Sequence, residues 1–159
     1  MKKIFVLIFY FAFVSLSVSL LFAQEKKIDK NELPANVLNS FKKNYQNAII
    51  KGASIEKENG KIYYEIESID GAQRRDLLYT KAGKVAEIEE TLTANDIPDI
   101  VKSSVMKNFP GGRINRAEKV INNKSISYEL VVEQGEQKYE VVLDSKGNIQ
   151  KVKKMKKEN

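Results

Sequence analysis

Apolar residues recur along this chain with two different periods. Leu33, Val37, Leu38, Phe41 and Tyr45 follow one another at helical spacing, and Ile97, Ile100, Val101, Val105 and Phe109 do so again. Steps of three and four put each set on one side of a helix of about three turns. Each set therefore predicts one amphipathic helix packed on a core. A proline precedes each stripe, in NELPANV and NDIPDIV, as expected where proline occupies a helix's first turn, because its missing N–H has no intrahelical partner there. FPGGR stops the second helix, whereas YQNAI occupies that place in the first.

After each helix the period changes to two. Ile62, Tyr64 and Ile66 alternate with Tyr63, Glu65 and Glu67; Ile126, Tyr128, Leu130 and Val132 alternate with Ser127, Glu129, Val131 and Glu133. Such alternation marks strands with one packed and one wet face. DGAQ and QGEQ then turn into RRDLLYT and KYEVVLD, where Leu77 and Tyr79 match Val141 and Leu143 on the inner side. KAGK and SKGN turn into last strands at Val85 to Thr91 and Ile149 to Lys153, and GASIEKE and RAEKVI supply the first strands.

The parallel between the halves is a repeat at a constant offset of 64, without a gap. Pro34 falls on Pro98 and Gly83 on Gly147. Val37 falls on Val101, Ile50 on Ile114, Ala53 on Ala117, Tyr64 on Tyr128, Glu65 on Glu129 and Gly71 on Gly135. Joint retention of turn glycines, helix-start prolines and strand hydrophobes is the mark of duplication. The expected fold is α+β: two tandem repeats, each a helix followed by a four-stranded antiparallel sheet, joined into one sheet of up to eight strands with the helices on one face. The expected boundaries are a leader at 1–23, a linker at 24–32, repeats at 33–90 and 91–152, and a basic flexible tail at 153–159.

The leader is expected because Lys2 and Lys3 precede an apolar and small-residue run from Ile4 that ends at the charged EKKIDKNE. That is the layout of a secretory signal peptide, with cleavage after Ala23; retention as an anchor is the alternative. The expected location is periplasmic or secreted, in a bacterium. Charge then loses its apparent meaning. The net +6 comes from Lys2, Lys3 and the ending KVKKMKKEN, and 20 basic and 20 acidic residues stand between Gln24 and Gln150. A neutral body argues against a nucleic-acid partner. The ending reads as a solvated, frayed terminus, with weak contact to an anionic surface as the alternative.

The residues resemble the PepSY-like proteins, a family related to the tandem-repeat scaffold of β-lactamase inhibitory protein. The resemblance rests on the LPANV and IPDIV helix starts, the FP after the second helix, the Tyr64-Glu65-Ile66 and Tyr128-Glu129-Leu130 strands, and the LLYTKAGKV and VVLDSKGNI hairpins. It covers nearly all of the chain beyond the leader. The first copy departs from the pattern at Gln46, where the second has proline, and the second has Ser127 where the first has Tyr63. The resemblance implies an antiparallel sheet with two helices on one face, in an exported bacterial protein, with inhibition of a peptidase or other extracellular enzyme as one role for such modules.

Chemistry is constrained by what the chain lacks. With no cysteine and no histidine it has no disulfide, no thiolate or imidazole metal site, and no Ser-His or Cys-His nucleophile. No phosphate-cradling glycine loop appears. No cofactor and no metal are expected. Paired carboxylates remain: Glu65 with Glu67, and Glu129 with Glu133. Read as facing water, they have no reason to acquire the raised pKa of a general acid, and no calcium loop surrounds them. The chain is therefore expected not to be an enzyme.

The outward strand faces carry Tyr63, Glu65, Glu67, Arg74, Asp76 and Leu78 in the first copy and Ser127, Glu129, Val131, Lys138, Glu140 and Val142 in the second. Apolar and aromatic groups among charges of both signs suit a protein-binding face, as they suit an ordinary exposed sheet. These twelve residues are the candidate binding face. The expected partner is another exported protein, with an adhesive or structural role for the basic ending as the alternative.

Overall fold

The computed structural model describes residues 24–156 apart from Asn59 and Lys124, so the expected leader lies outside the described residues. The chain runs β1 (Gln24–Lys27), a 3-10 turn (Lys30–Glu32), α1 (Ala35–Asn44), β2 (Ile49–Glu58), β3 (Lys61–Asp70), β4 (Gln73–Thr80) and β5 (Val85–Thr91). It continues with α2 (Asp99–Asn108), β6 (Arg113–Asn122), β7 (Ser125–Gln134), β8 (Gln137–Asp144) and β9 (Ile149–Lys154). Among the described residues the strands form one nine-stranded sheet in chain order, and every neighbouring pair is antiparallel.

Each proline sits one residue earlier than expected. Pro34 and Pro98 are the extended residues that precede α1 and α2, and the carbonyl of Pro34 accepts from the N–H groups of Val37 and Leu38. Both helices end alike, with the Asn44 and Asn108 amides donating to the Ser40 and Ser104 carbonyls. The turn that follows closes with Gly112 N–H donating to Phe109 in one half and Ala48 N–H to Tyr45 in the other. The Pro110-Gly111 pair is thus not required for it.

Cross-strand register puts both helices on the same side of the sheet. Ile66, Leu77, Ile88 and Ile121 stand opposite one another on successive strands, and partners directly opposite share a face. Ala117, Leu130 and Val141 lie on that same face by the two-residue alternation. Two clusters of buried side chains form there. Val37 and Phe41 of α1 pack with Ile66, Leu77 and Tyr79, while Val101 and Val105 of α2 pack with Leu130, Val132, Val141 and Leu143. Between the clusters runs a charged row across three strands: Arg75 is 3.1 Å from Glu90, and Lys119 is 3.6 Å from the other oxygen of Glu90. The Arg75 guanidinium also lies 5.7 Å from the centre of the Tyr45 ring.

Three expectations change. Residues 24–32, read as a linker, contain β1 and a 3-10 turn. Displaced by 64, Lys27 and Ile28 fall on Thr91 and Leu92; Lys27 pairs with Ser54 as Thr91 pairs with Glu118, and Ile28 donates to Ala53 as Leu92 donates to Ala117. β1 is therefore to α1 what β5 is to α2, which is why the sheet has nine strands where up to eight were expected. The third change concerns the basic ending, read as frayed. The last strand begins at Ile149 as expected but runs on through Lys154, and the Met155 N–H donates to the Lys138 carbonyl, so the ordered edge extends into the residues read as a flexible tail. β9 is a sheet edge, where lysines discourage pairing with another chain.

The irregularities repeat as well. Register shifts fall between Ile50 and Gly52 and between Ile114 and Arg116, and again between Leu78 and Tyr79 and between Val142 and Leu143. Each inserts one residue and adds local twist. Where β4 turns into β5, Gly83 has φ +80°, and an added Cβ would overlap the carbonyl oxygen of Asn36 in α1. At Gly147 φ is +79° and the same Cβ would stand 2.9 Å from the Ile100 carbonyl oxygen. In both halves the hairpin backbone abuts the start of the helix, and only glycine combines that φ with that approach.

Candidate functional site

Register that buries one face leaves the other without a helix. All twelve candidate residues are on this open side: Glu65 stands opposite Leu78, Glu67 opposite Asp76, Tyr63 opposite Thr80, Glu129 opposite Val142 and Val131 opposite Glu140. Arg74 and Lys138 are exposed, and the other ten are half-buried. The face is continuous across the middle of the sheet, because Leu78 stands opposite Glu87 and Asp76 opposite Glu89 on β5, and Glu89 opposite Val120 on β6.

The carboxylates are where the structure departs most from the sequence reading. They were expected to be freely solvated. Instead Glu65, Asp76 and Glu89 are half-buried, and Glu56, Glu65, Asp76, Leu78, Glu87 and Glu89 line a cleft of about 40 Å³. Loss of water disfavours the charged form. Desolvation raises the Glu65 carboxyl to about 7, against the opposing hydrogen bond from the Ser54 hydroxyl (2.8 Å) and helped by the charges of Glu56 and Asp76. Glu89 also rises to about 7, through desolvation and then the charges of Glu118 and Glu129. Glu56, Asp76 and Glu129 are raised too, each chiefly by desolvation.

Cross-strand pairing explains the crowding. Glu25 faces Glu56, Glu67 faces Asp76, Asp76 faces Glu89, and Glu118 faces Glu129. Like charges directly opposite are destabilising, and opposite charges are favourable. The covered face follows the favourable rule, with Arg75, Glu90 and Lys119 in line. The open face does so in the second half, where Arg113 pairs with Glu133 and Lys151 with Glu140, and breaks it around the cleft. Glu56, Glu87, Glu89 and Glu118 were missed as site residues because only long-range register brings them beside Glu65 and Asp76. No periodicity within one strand carries that information.

A second depression, of about 360 Å³, lies at the hairpin end of the same face and includes Tyr63, Leu78, Thr80, Glu87 and Asn122. The Asn122 amide donates to Glu87 there, at 2.8 Å. Among the described residues no group of three or more carboxylates is arranged to hold a metal ion, and no helix is long and apolar enough to cross a membrane.

With this geometry established, comparison with known proteins is informative about the fold. A family model described as "Putative beta-lactamase-inhibitor-like, PepSY-like" matches residues 20–87 and 76–151. The two matches overlap at residues 76–87, across the turn between β4 and β5. Among solved structures the chain is similar to a protein of Bacteroides eggerthii described as one of its "putative periplasmic proteins". The identity is 17%, over 76% of this chain and 88% of that one, with a TM-score of 0.65. It is similar to a DUF2874 family protein of Bacteroides uniformis with the same identity, coverage and TM-score. A BLIP-like protein of Bacteroides fragilis matches at 18% identity over 78% of this chain and 87% of that one, with a TM-score of 0.61. No curated protein matches the chain.

Proposed function

The chain belongs to the beta-lactamase-inhibitor-like, PepSY-like family, and from that premise we propose that it is an exported, non-catalytic binding module that holds another envelope or extracellular protein on the open face of its sheet. The observation that carries this reading is the contrast between the two faces. The covered face lines up Arg75, Glu90 and Lys119 as opposite charges. The open face sets like charges opposite one another in half-buried positions, Glu67 with Asp76, Asp76 with Glu89 and Glu118 with Glu129, beside ion pairs of its own in the second half. Sequences that give up local stability do so most often where a surface has work to do. The depression lined by Tyr63 and Leu78 adds apolar contact beside the charges, as protein interfaces do.

The same reading covers the finer points. The leader directs export to the periplasm or beyond, in keeping with the description of the Bacteroides eggerthii relative. Duplication of a helix-plus-four-strand unit, with β5 serving both halves, built the sheet. Inhibition of a peptidase or another enzyme is one way such a module would act. Carboxylates raised to about 7 have the acidity of general acids, yet the cleft they line is about 40 Å³. Ligand pockets run to hundreds of Å³, so the cleft suits a water rather than a substrate. The lysines of β9 serve as edge protection, so an adhesive role for them has less support.

A photo-crosslinking residue placed at Tyr63 tests the reading against one placed at Met106, an exposed residue of α2. In envelope extract the Tyr63 position is expected to trap a discrete protein and the Met106 position is not. Adducts from Met106 alone, or the same adducts from both, would contradict it.

A further inference from the structure

We propose that the open face is a proton-responsive surface: Glu65 and Glu89, which strand register crowds with other carboxyls around the central cleft, take up and release protons in a coupled way, changing the negative charge of the face. The inference does not depend on a partner. It starts from the cleft, whose wall is built by Glu56 of β2, Glu65 of β3, Asp76 of β4, and Glu87 and Glu89 of β5. Four consecutive strands each present an acid to the same small space, and water is partly excluded from it.

The surrounding cations do not neutralise it. On the β1 side, Glu25 faces Glu56, and Lys27 stands opposite Ser54, whose hydroxyl donates to Glu65. On β4, Arg74 is exposed and lowers Asp76 less than Glu67 and Glu118 raise it. On the β6 side, Arg116 is 3.5 Å from Glu118, while Val120 and Asn122 face β5 with no charge. Beyond these, Glu129 of β7 adds negative charge, and Lys151 of β9 lies 3.2 Å from Glu140 of β8. No salt bridge reaches Glu65, Asp76 or Glu89 among the described residues; Arg116 and Lys151 pair with Glu118 and Glu140 instead, and Lys61 and Lys84 line the neighbouring depression with Glu87.

Two carboxyls in contact are satisfied best with one proton between them. Glu56 and Glu65 line the same cleft, and the Glu56 charge adds to the desolvation that raises Glu65. Ionising one group raises its neighbours, so the cluster titrates as a unit rather than as independent sites.

The sign of the stability effect follows. A carboxyl whose folded pKa lies above its unfolded value binds its proton more tightly when folded. Its contribution is full below the unfolded value near 4.5 and is lost as pH rises through the folded value of about 7. The protein should therefore be more stable at pH 5 than at pH 8.

The test combines carboxyl carbon NMR with thermal unfolding, applied to the protein and to a Glu65→Gln, Glu89→Gln variant. Glu65 and Glu89 are expected to titrate at about pH 7, and the midpoint should fall by several degrees from pH 5 to pH 8 in the parent but much less in the variant. Titration of both residues in the ordinary carboxylate range would overturn the proposal, as would an undiminished pH slope in the variant. The parent's carboxyl titration alone decides the matter if the double variant does not fold.

Discussion

Glu118 on β6 and Glu129 on β7 stand directly opposite each other on the open side of the sheet. Their like charges oppose pairing of the two strands, and desolvation followed by the charges of Glu140 and Glu118 raises the Glu129 carboxyl. Replacing Glu129 by glutamine keeps the shape and removes the repulsion. Such pairs are worth roughly 0.2–1 kcal/mol, so Glu129→Gln should stabilise the protein by that amount at neutral pH. Urea denaturation at low and high salt checks it, with a smaller gain at high salt.

Tyr79 offers a second stabilising change. Its side chain is fully buried among the first cluster, and among the described residues its hydroxyl has no hydrogen-bond partner. At the corresponding position of the second half stands Leu143, which needs none. A buried, unsatisfied polar group costs about 1–3 kcal/mol. Tyr79→Phe should therefore raise unfolding free energy by about 1 kcal/mol, read as a higher denaturation midpoint at an unchanged slope.

The hairpin glycines predict the opposite. Alanine at Gly83 would have to adopt φ +80° and would overlap the Asn36 carbonyl oxygen. Left-handed backbone alone costs an L-residue about 1–2 kcal/mol, and displacement of helix backbone adds to it. Gly83→Ala should destabilise by about 2 kcal/mol or more. Gly147→Ala should cost less, because the corresponding contact is 2.9 Å, and equilibrium unfolding of the two variants ranks them.

Arg75 joins the halves in a different way. It pairs with Glu90, both side chains are largely buried, and it also covers the Tyr45 ring. Arg75→Met keeps much of the packing but leaves Glu90 with only the longer contact to Lys119. Loss of about 1–2 kcal/mol is expected, from a charge-assisted hydrogen bond and a cation–π contact, measured by denaturation.

Much of this architecture is legible in the sequence. The stripes of Val37 and Phe41, and of Val101 and Val105, predicted two helices on a core, and the alternation through Ile66 and Leu130 predicted which face is buried. Gly83 and Gly147 marked the same turn twice. β1 was not legible from its own residues, because QEKK has no apolar alternation and becomes a strand by pairing with β2. The 64-residue offset did hold the signal, since it carries 24–27 onto β5. The open-face residues were assigned to the correct side, but their burial was not foreseen. Alternation says which way Glu65 points, whereas its desolvation depends on Glu56, Asp76 and Glu87 arriving from other strands. The strand at Ile149 to Lys153 was legible, but its continuation through Lys154 read as a tail, because edge strands and frayed ends share the same charged composition.

The most direct test of a binding role is capture from envelope extract by residues 24–159, beside a Tyr63→Ser, Leu78→Ser, Val142→Ser variant shown by circular dichroism to be folded. The account predicts a specific protein retained by the parent and lost by the variant. Equal capture by both baits, or capture by neither, would contradict a role for the open face.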